Sequence, residues 1–242
     1  MKVFLAGTRA RLFYPEMFEL PYVLESFAYF TERQKRQLKT AKMFMLDSGA
    51  FTFMSGNGGD VNFDKYLERY IAFINENDIR YFFELDIDSV VGYETVKDYR
   101  RLLERKTGRR CIPVWHKSRG LDEYKRMVKE YDYIAVGGIA NGDIKRSEYK
   151  YFTPLLNYAH QAGCKVHGLG FTDTGRLHQY PFDSVDSTSW ISGSRFGSVY
   201  RFNGRRMVAT TVEGKRMIDY KIADLHNLRE WMKFQKYADS YL

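Results

Sequence analysis

Cysteine is scarce. The 242 residues hold only Cys111 and Cys164, each alone at the start of an apolar run. Two isolated thiols build neither a disulfide framework nor a CxxC zinc site, so two buried thiols are expected and no metal or cofactor is called for. Long hydrophobic runs are also missing: none approaches the about 18 residues that span a bilayer, and the opening MKVFLAGTR turns polar too soon for a signal peptide. A soluble protein of the cytoplasm is the expectation. Repeats, low-complexity tracts and linkers are absent as well, so residues 1–242 are expected to form one domain. One α/β barrel of about 250 residues has that size.

What is present supports a large core and a charged surface. Hydrophobic residues make up 44% of the chain, and 19 Tyr, 18 Phe and 3 Trp supply bulky buried side chains. With 38 Lys and Arg against 30 Asp and Glu, the net charge of +8 favours a polyanionic partner such as nucleic acid.

Short β-rich runs alternate with segments of helical period. The runs are Lys2–Ala6, Met43–Leu46, Tyr81–Leu85, Cys111–Trp115, Tyr133–Val136, Lys165–Leu169 and Phe182–Val185. Helical segments are expected at Phe63–Asn75, Tyr93–Arg105, Leu121–Tyr131 and Tyr149–Gln161, the first with Phe63, Tyr66, Leu67, Tyr70, Ile71 and Ile74 on one apolar face. This series predicts a parallel sheet and a (β/α)8 barrel, with Met207–Val212 as the candidate eighth strand. A final helix is expected over Ala223–Tyr241. Near 195–209, two short arms flank Asn203-Gly204, a dipeptide preferred by type I′ hairpin turns. That hairpin interleaves Arg195, Arg201, Arg205 and Arg206 with aromatics, which suits phosphate contact and base stacking.

In a parallel barrel the active site forms at the C-terminal strand ends. Those ends carry Asp47-Ser48-Gly49, Asp86-Ile87-Asp88, His116-Lys117, Gly137-Gly138, His167-Gly168 and Asp186-Ser187-Thr188. Carboxylates gathered from three strands repel one another unless substrate or metal needs them. A carboxylate pair across a small pocket suits glycosidic chemistry, one acid at the anomeric carbon and the other at the leaving group. A Mg²⁺ site of Asp47, Asp86 and Asp88, serving a phosphodiesterase, is the alternative, and a binding barrel without catalysis is another.

Several motifs together resemble the tRNA-guanine transglycosylase superfamily. DSGAFT at 47–52 is similar to its DSGGFQ motif, AVGG at 135–138 to its glycine turn, and HGLG with FDSVDST to its MGVG and FDxV segments. The likeness runs from about residue 43 to 190 and is greatest to short, phage-type DNA 7-deazaguanine transglycosylases. It implies a (β/α)8 barrel that exchanges guanine in a polynucleotide for a free 7-deazaguanine base such as preQ0, with DNA favoured as the polynucleotide and tRNA the alternative. Asp47 would manage the base's proton. Asp86 or Asp88 would read the guanine edge, and Ser48, Gly49, Phe51, Trp115, His116, Gly137, Gly138, His167 and Gly168 would surround the base. The nucleophile falls on Asp186 from the phage-type SVDS pattern, with Asp183 as fallback from FDxV. Lys117, Arg119, Ser187, Thr188, Arg195, Arg201, Arg205 and Arg206 are the candidate polynucleotide contacts. The resemblance allows a homodimer and, for a phage-encoded protein, places it in the host cytoplasm. It does not extend to the zinc module of the tRNA enzymes, whose cysteines have no counterpart here.

Overall fold

A computed structural model describes residues 1–7, 14–32, 34–49, 52, 61–192, 196–211 and 219–242. Phe51, Arg195 and Val212, named above, lie outside the described residues. Eight parallel strands form one sheet: β1 (Lys2–Ala6), β2 (Tyr22–Ser26), β3 (Met43–Asp47), β4 (Tyr81–Phe82), β5 (Val114–Trp115), β6 (Tyr133–Val136), β7 (Lys165–Gly168) and β8 (Ser184–Ser187). Their order is β4-β3-β2-β1-β8-β7-β6-β5. A parallel bridge between Phe83 and Ile112 joins the two ends, so the sheet closes into a (β/α)8 barrel.

Among the described residues the connecting α-helices are α1 (Lys35–Thr40), α2 (Phe63–Glu76), α3 (Asp88–Val91), α4 (Tyr93–Thr107), α5 (Gly120–Glu130) and α6 (Phe152–Gln161), with α7 (Tyr220–Tyr241) last. Asn62 caps α2 by accepting from the Lys65 amide, and Tyr66, Leu67, Tyr70 and Ile74 bury the face expected from the sequence. Both cysteines are buried thiols. No helix among the described residues is long and apolar enough to cross a membrane.

The eighth barrel strand differs from the expectation. It is Tyr22–Ser26, whereas Met207–Thr211 (β10) pairs antiparallel with Ser198–Phe202 (β9), outside the barrel. Among the described residues a 3-10 turn at Phe27–Tyr29 and the six-residue α1 separate β2 from β3, too little helical period to mark a βαβ unit, and YVLES runs on into the aromatic SFAYF. The hairpin itself forms about Asn203-Gly204 as its turn chemistry predicts. Its β9 edge is covered by α7: Asn227 accepts from the Tyr200 amide at 2.7 Å and Glu230 from the Phe202 amide at 2.7 Å. These bonds explain two buried polar residues on that helix and block further strand pairing along β9.

Alternation along each strand sorts the side chains. Phe4, Tyr22, Leu24, Met45, Phe83, Ile112, Val114 and Ala135 pack together inside the barrel, while Val3, Leu5, Val23, Leu46, Phe82, Val136, Val166 and Val185 belong to the outer core that the helices cover. Two residues beyond the inner set stand Asp47, His116 and Gly137, so the same pleat carries these positions to the C-terminal rim.

The β4–β5 seam is the shortest in the barrel, and an ion network braces it. Glu84 is fully buried; it accepts from the Val114 amide at 2.8 Å, standing in for a ladder bond, and from Arg119 and Arg100 at 2.6 Å each. Burial alone would push its carboxyl up, but Arg119 and Arg100 hold it below the usual range. Arg119 also takes both oxygens of Asp88, at 2.5 and 2.7 Å, and lies over the Tyr93 ring. Removing one partner of such a network leaves buried charge uncompensated, so Arg119→Ala is expected to cost about 3–5 kcal/mol. Denaturant unfolding checks this; a variant as stable as the parent would remove the brace.

Candidate active site

Asp47 closes β3, in register with Ser26 of β2. Its Oδ2 accepts from the Gly49 amide at 2.9 Å, an Asx-type turn that requires Gly49 at φ +82°. A Cβ at that position would come within 2.6 Å of the Ala28 Cβ, so both conformation and space demand glycine. Burial, with the charges of Asp86 and Asp186, raises the Asp47 carboxyl to about 7 against the opposing bonds from Gly49 and Ser26. Asp47, Asp86 and Asp186 therefore share one electrostatic site.

Asp186 is buried on β8, opposite Phe4 of β1. Its Oδ1 receives the Gly170 amide at 2.6 Å and faces His167 Nε2 at 3.2 Å. Beneath lies a file of polar atoms: His167 Nδ1 to Ser184 Oγ at 2.5 Å, and Ser184 Oγ to the Tyr133 hydroxyl at 2.5 Å. One polarity satisfies every atom: Tyr133 donates to Ser184, Ser184 to Nδ1, and Nε2–H to Asp186. Phe4 and Phe83 wall the imidazole, which is fully buried. Oδ2 has no hydrogen-bond partner among the described residues.

Asp86 sits just past β4, where the chain leaves the ladder and the Ile87 amide turns back to the Leu85 carbonyl. Burial raises its carboxyl, while a 3.0 Å contact with His116 Nε2 opposes that rise. His116 is in turn held above its ordinary value by Asp86, although burial works against its charge. A Cβ on Gly137 would lie 2.7 Å from the His116 ring, so this glycine makes room for the ring that orients Asp86. Gly138 adopts φ +81° in the turn that follows.

Other expected site residues stand elsewhere, and strand parity explains most of them. Asp183 is at the opposite end of β8, where Oδ2 accepts from the Val166 amide at 2.8 Å and contacts His160, so the fallback nucleophile is away from the mouth. Trp115 points outward, its indole donating to the Gly120 carbonyl and its ring against Tyr124, and does not sandwich a base. Ser187 faces the outer layer and accepts from the Ser189 amide, while Gly168 packs tightly against Phe171, Phe182 and Val185. Ser48 is buried beneath the rim with its hydroxyl unpaired among the described residues. Asp88 and Arg119 engage each other in the seam, where each already has a charged partner. With Asp88 withdrawn, the Mg²⁺ triad does not assemble, and among the described residues no three such ligands come together.

At the periphery Lys117 pairs with Glu148 at 2.5 Å, Thr188 is exposed, and Arg201, Arg205 and Arg206 are exposed on the hairpin. Sequence reasoning missed Gly170, Ser184 and Tyr133. Ser184 was legible in principle, since it lies two residues before Asp186 and must share its face.

No family model matches the chain, and no curated protein matches it. Among solved structures it is similar to the carboxyl transferase domain of Rhizobium etli pyruvate carboxylase with 3-bromopyruvate, at TM-score 0.45 and 16% identity. That match covers 86% of this chain and 37% of the other, and it bears on neither substrate nor chemistry here.

Because Asp47 has a carboxyl near 7 when folded and 3.8 as its ordinary value, the folded state favours the protonated form, and its stabilising effect is lost as pH rises from about 4 to 7. Asp47→Asn cannot ionise. Its melting temperature should gain on the parent's across that window; a pH-independent difference would contradict the raised carboxyl.

Proposed function

We propose that the protein is a base-exchange transglycosylase, replacing guanine in a polynucleotide, DNA in preference to tRNA, with a free 7-deazaguanine base. The observation that carries this reading is the division of labour between Asp186 and Asp47. One oxygen of Asp186 is held by Gly170 and His167 and the other has no described partner, which suits a carboxylate nucleophile. Asp47, with its carboxyl near 7, suits an acid that later acts as base.

A guanine nucleotide leaves its stack and enters the barrel mouth. Asp186 Oδ2 attacks C1′, the C1′–N9 bond breaks with its electron pair on the base, and the Asp47 proton goes to the departing guanine. The incoming 7-deazaguanine then surrenders its N9 proton to Asp47 and its N9 attacks C1′, releasing the Asp186 carboxylate. Asp86, oriented by His116, accepts from the guanine N1–H and amino edge, a pattern adenine lacks. The motif resemblance over residues 43–190 and the net charge of +8 support the same reading.

Asp186→Asn should lower exchange by at least about a thousandfold and abolish any covalent polynucleotide adduct, with thermal unfolding little changed. Nucleoside mass spectrometry and denaturing electrophoresis of the complex check both. An active Asp186→Asn would overturn the assignment.

A further inference from the structure

A polar cleft of about 500 Å³ opens where the loops after β6, β7 and β8 meet the β9–β10 hairpin. Arg146, Thr172, Asp173, Ser189, Arg206 and Trp231 are among its lining residues. It adjoins the candidate active site, because Gly170, whose amide holds Asp186, lines it too. Its charge is unbalanced. Arg146 contacts Asp173 at 2.5 Å and Arg176 approaches the same carboxylate at 3.7 Å, whereas Arg206, lying against Gly175, forms no ion pair among the described residues. Two cations share one anion and a third has none.

A second observation is independent of charge. Trp231 is buried, yet its indole N–H has no partner among the described residues. The walls are also fixed in place: the Met207 amide donates to Thr174 Oγ1 at 3.1 Å, tying the hairpin to the β7 loop, and α7 pins the other arm. Guanidinium and hydroxyl side chains lining a preformed cleft match the several acceptor oxygens of a phosphate group.

We infer that this cleft seats a backbone phosphodiester of the polynucleotide, next to the nucleotide whose base enters the barrel, with Arg206 and Arg146 as its ligands. The inference rests on the polynucleotide reading above and adds where the strand is held. A nucleotide withdrawn from its stack must have a neighbouring phosphate anchored at the rim, since the stacking that otherwise positions it is lost. The loops after the seventh and eighth strands are where barrel enzymes frequently bind phosphate.

The test is binding of a short single-stranded oligonucleotide, followed by fluorescence anisotropy over a range of salt, for the full-length parent, Arg206→Ala, Arg146→Gln and the distant surface control Arg105→Ala. Each cleft variant should bind three- to tenfold more weakly at low salt and lower the slope of log K against log salt by about 0.7, the value for one phosphate on a single strand. The control should match the parent. Parental slopes in both cleft variants, or no oligonucleotide binding by the parent, would overturn the inference. Because base exchange is read separately, by mass spectrometry, the two ideas part cleanly: slopes that fall with no exchange keep the seat and remove the transferase, while exchange with parental slopes does the reverse.

Discussion

The pleat of a closed parallel barrel is the constraint on which the rest of the structure depends. Each strand can turn only alternate side chains inward, and the interior is filled by Phe4, Leu24, Met45, Phe83 and Val114. Whatever stands two residues further along a strand then faces the mouth, as Asp47 and His116 do. Closure makes this geometry rigid, and closure is thinnest between β4 and β5, where one bridge and the Glu84 carboxylate hold the seam.

Two acids in this barrel, Glu84 buried and Asp47 half-buried, meet opposite fates. Glu84 lies between Arg100 and Arg119 and remains ionised, because each charge removed from water regains a partner at 2.6 Å. Asp47 has acids for neighbours and only neutral donors, Gly49 and Ser26, so its proton is held to about 7. The first arrangement stabilises the fold. The second costs stability near neutral pH.

The barrel was legible in the sequence because seven of its strands stand alone between turn signals. The β2 strand was not, since a short helix and an aromatic run conceal its ends. Strand-end positions found the carboxylates Asp47, Asp86 and Asp186, yet adjacency in sequence also drew in Trp115, Gly168 and Ser187, which the pleat turns outward. Asp88 and Arg119 could not be separated from the site by pattern, because their pairing joins residues 31 apart across the seam. The file from Tyr133 to His167 was hidden for the same reason: it crosses three strands, and although spacing puts Ser184 on the face of Asp186, nothing in the sequence pairs it with Tyr133 or His167.

The most direct measurement is incorporation of labelled guanine by the purified protein into single-stranded DNA, duplex DNA and bulk tRNA in parallel. Label retained in DNA and released again by an excess of unlabelled 7-deazaguanine base is the predicted result. Label in none of the polymers, with 7-deazaguanine bases also failing to enter them by nucleoside mass spectrometry, would contradict base exchange at Asp186.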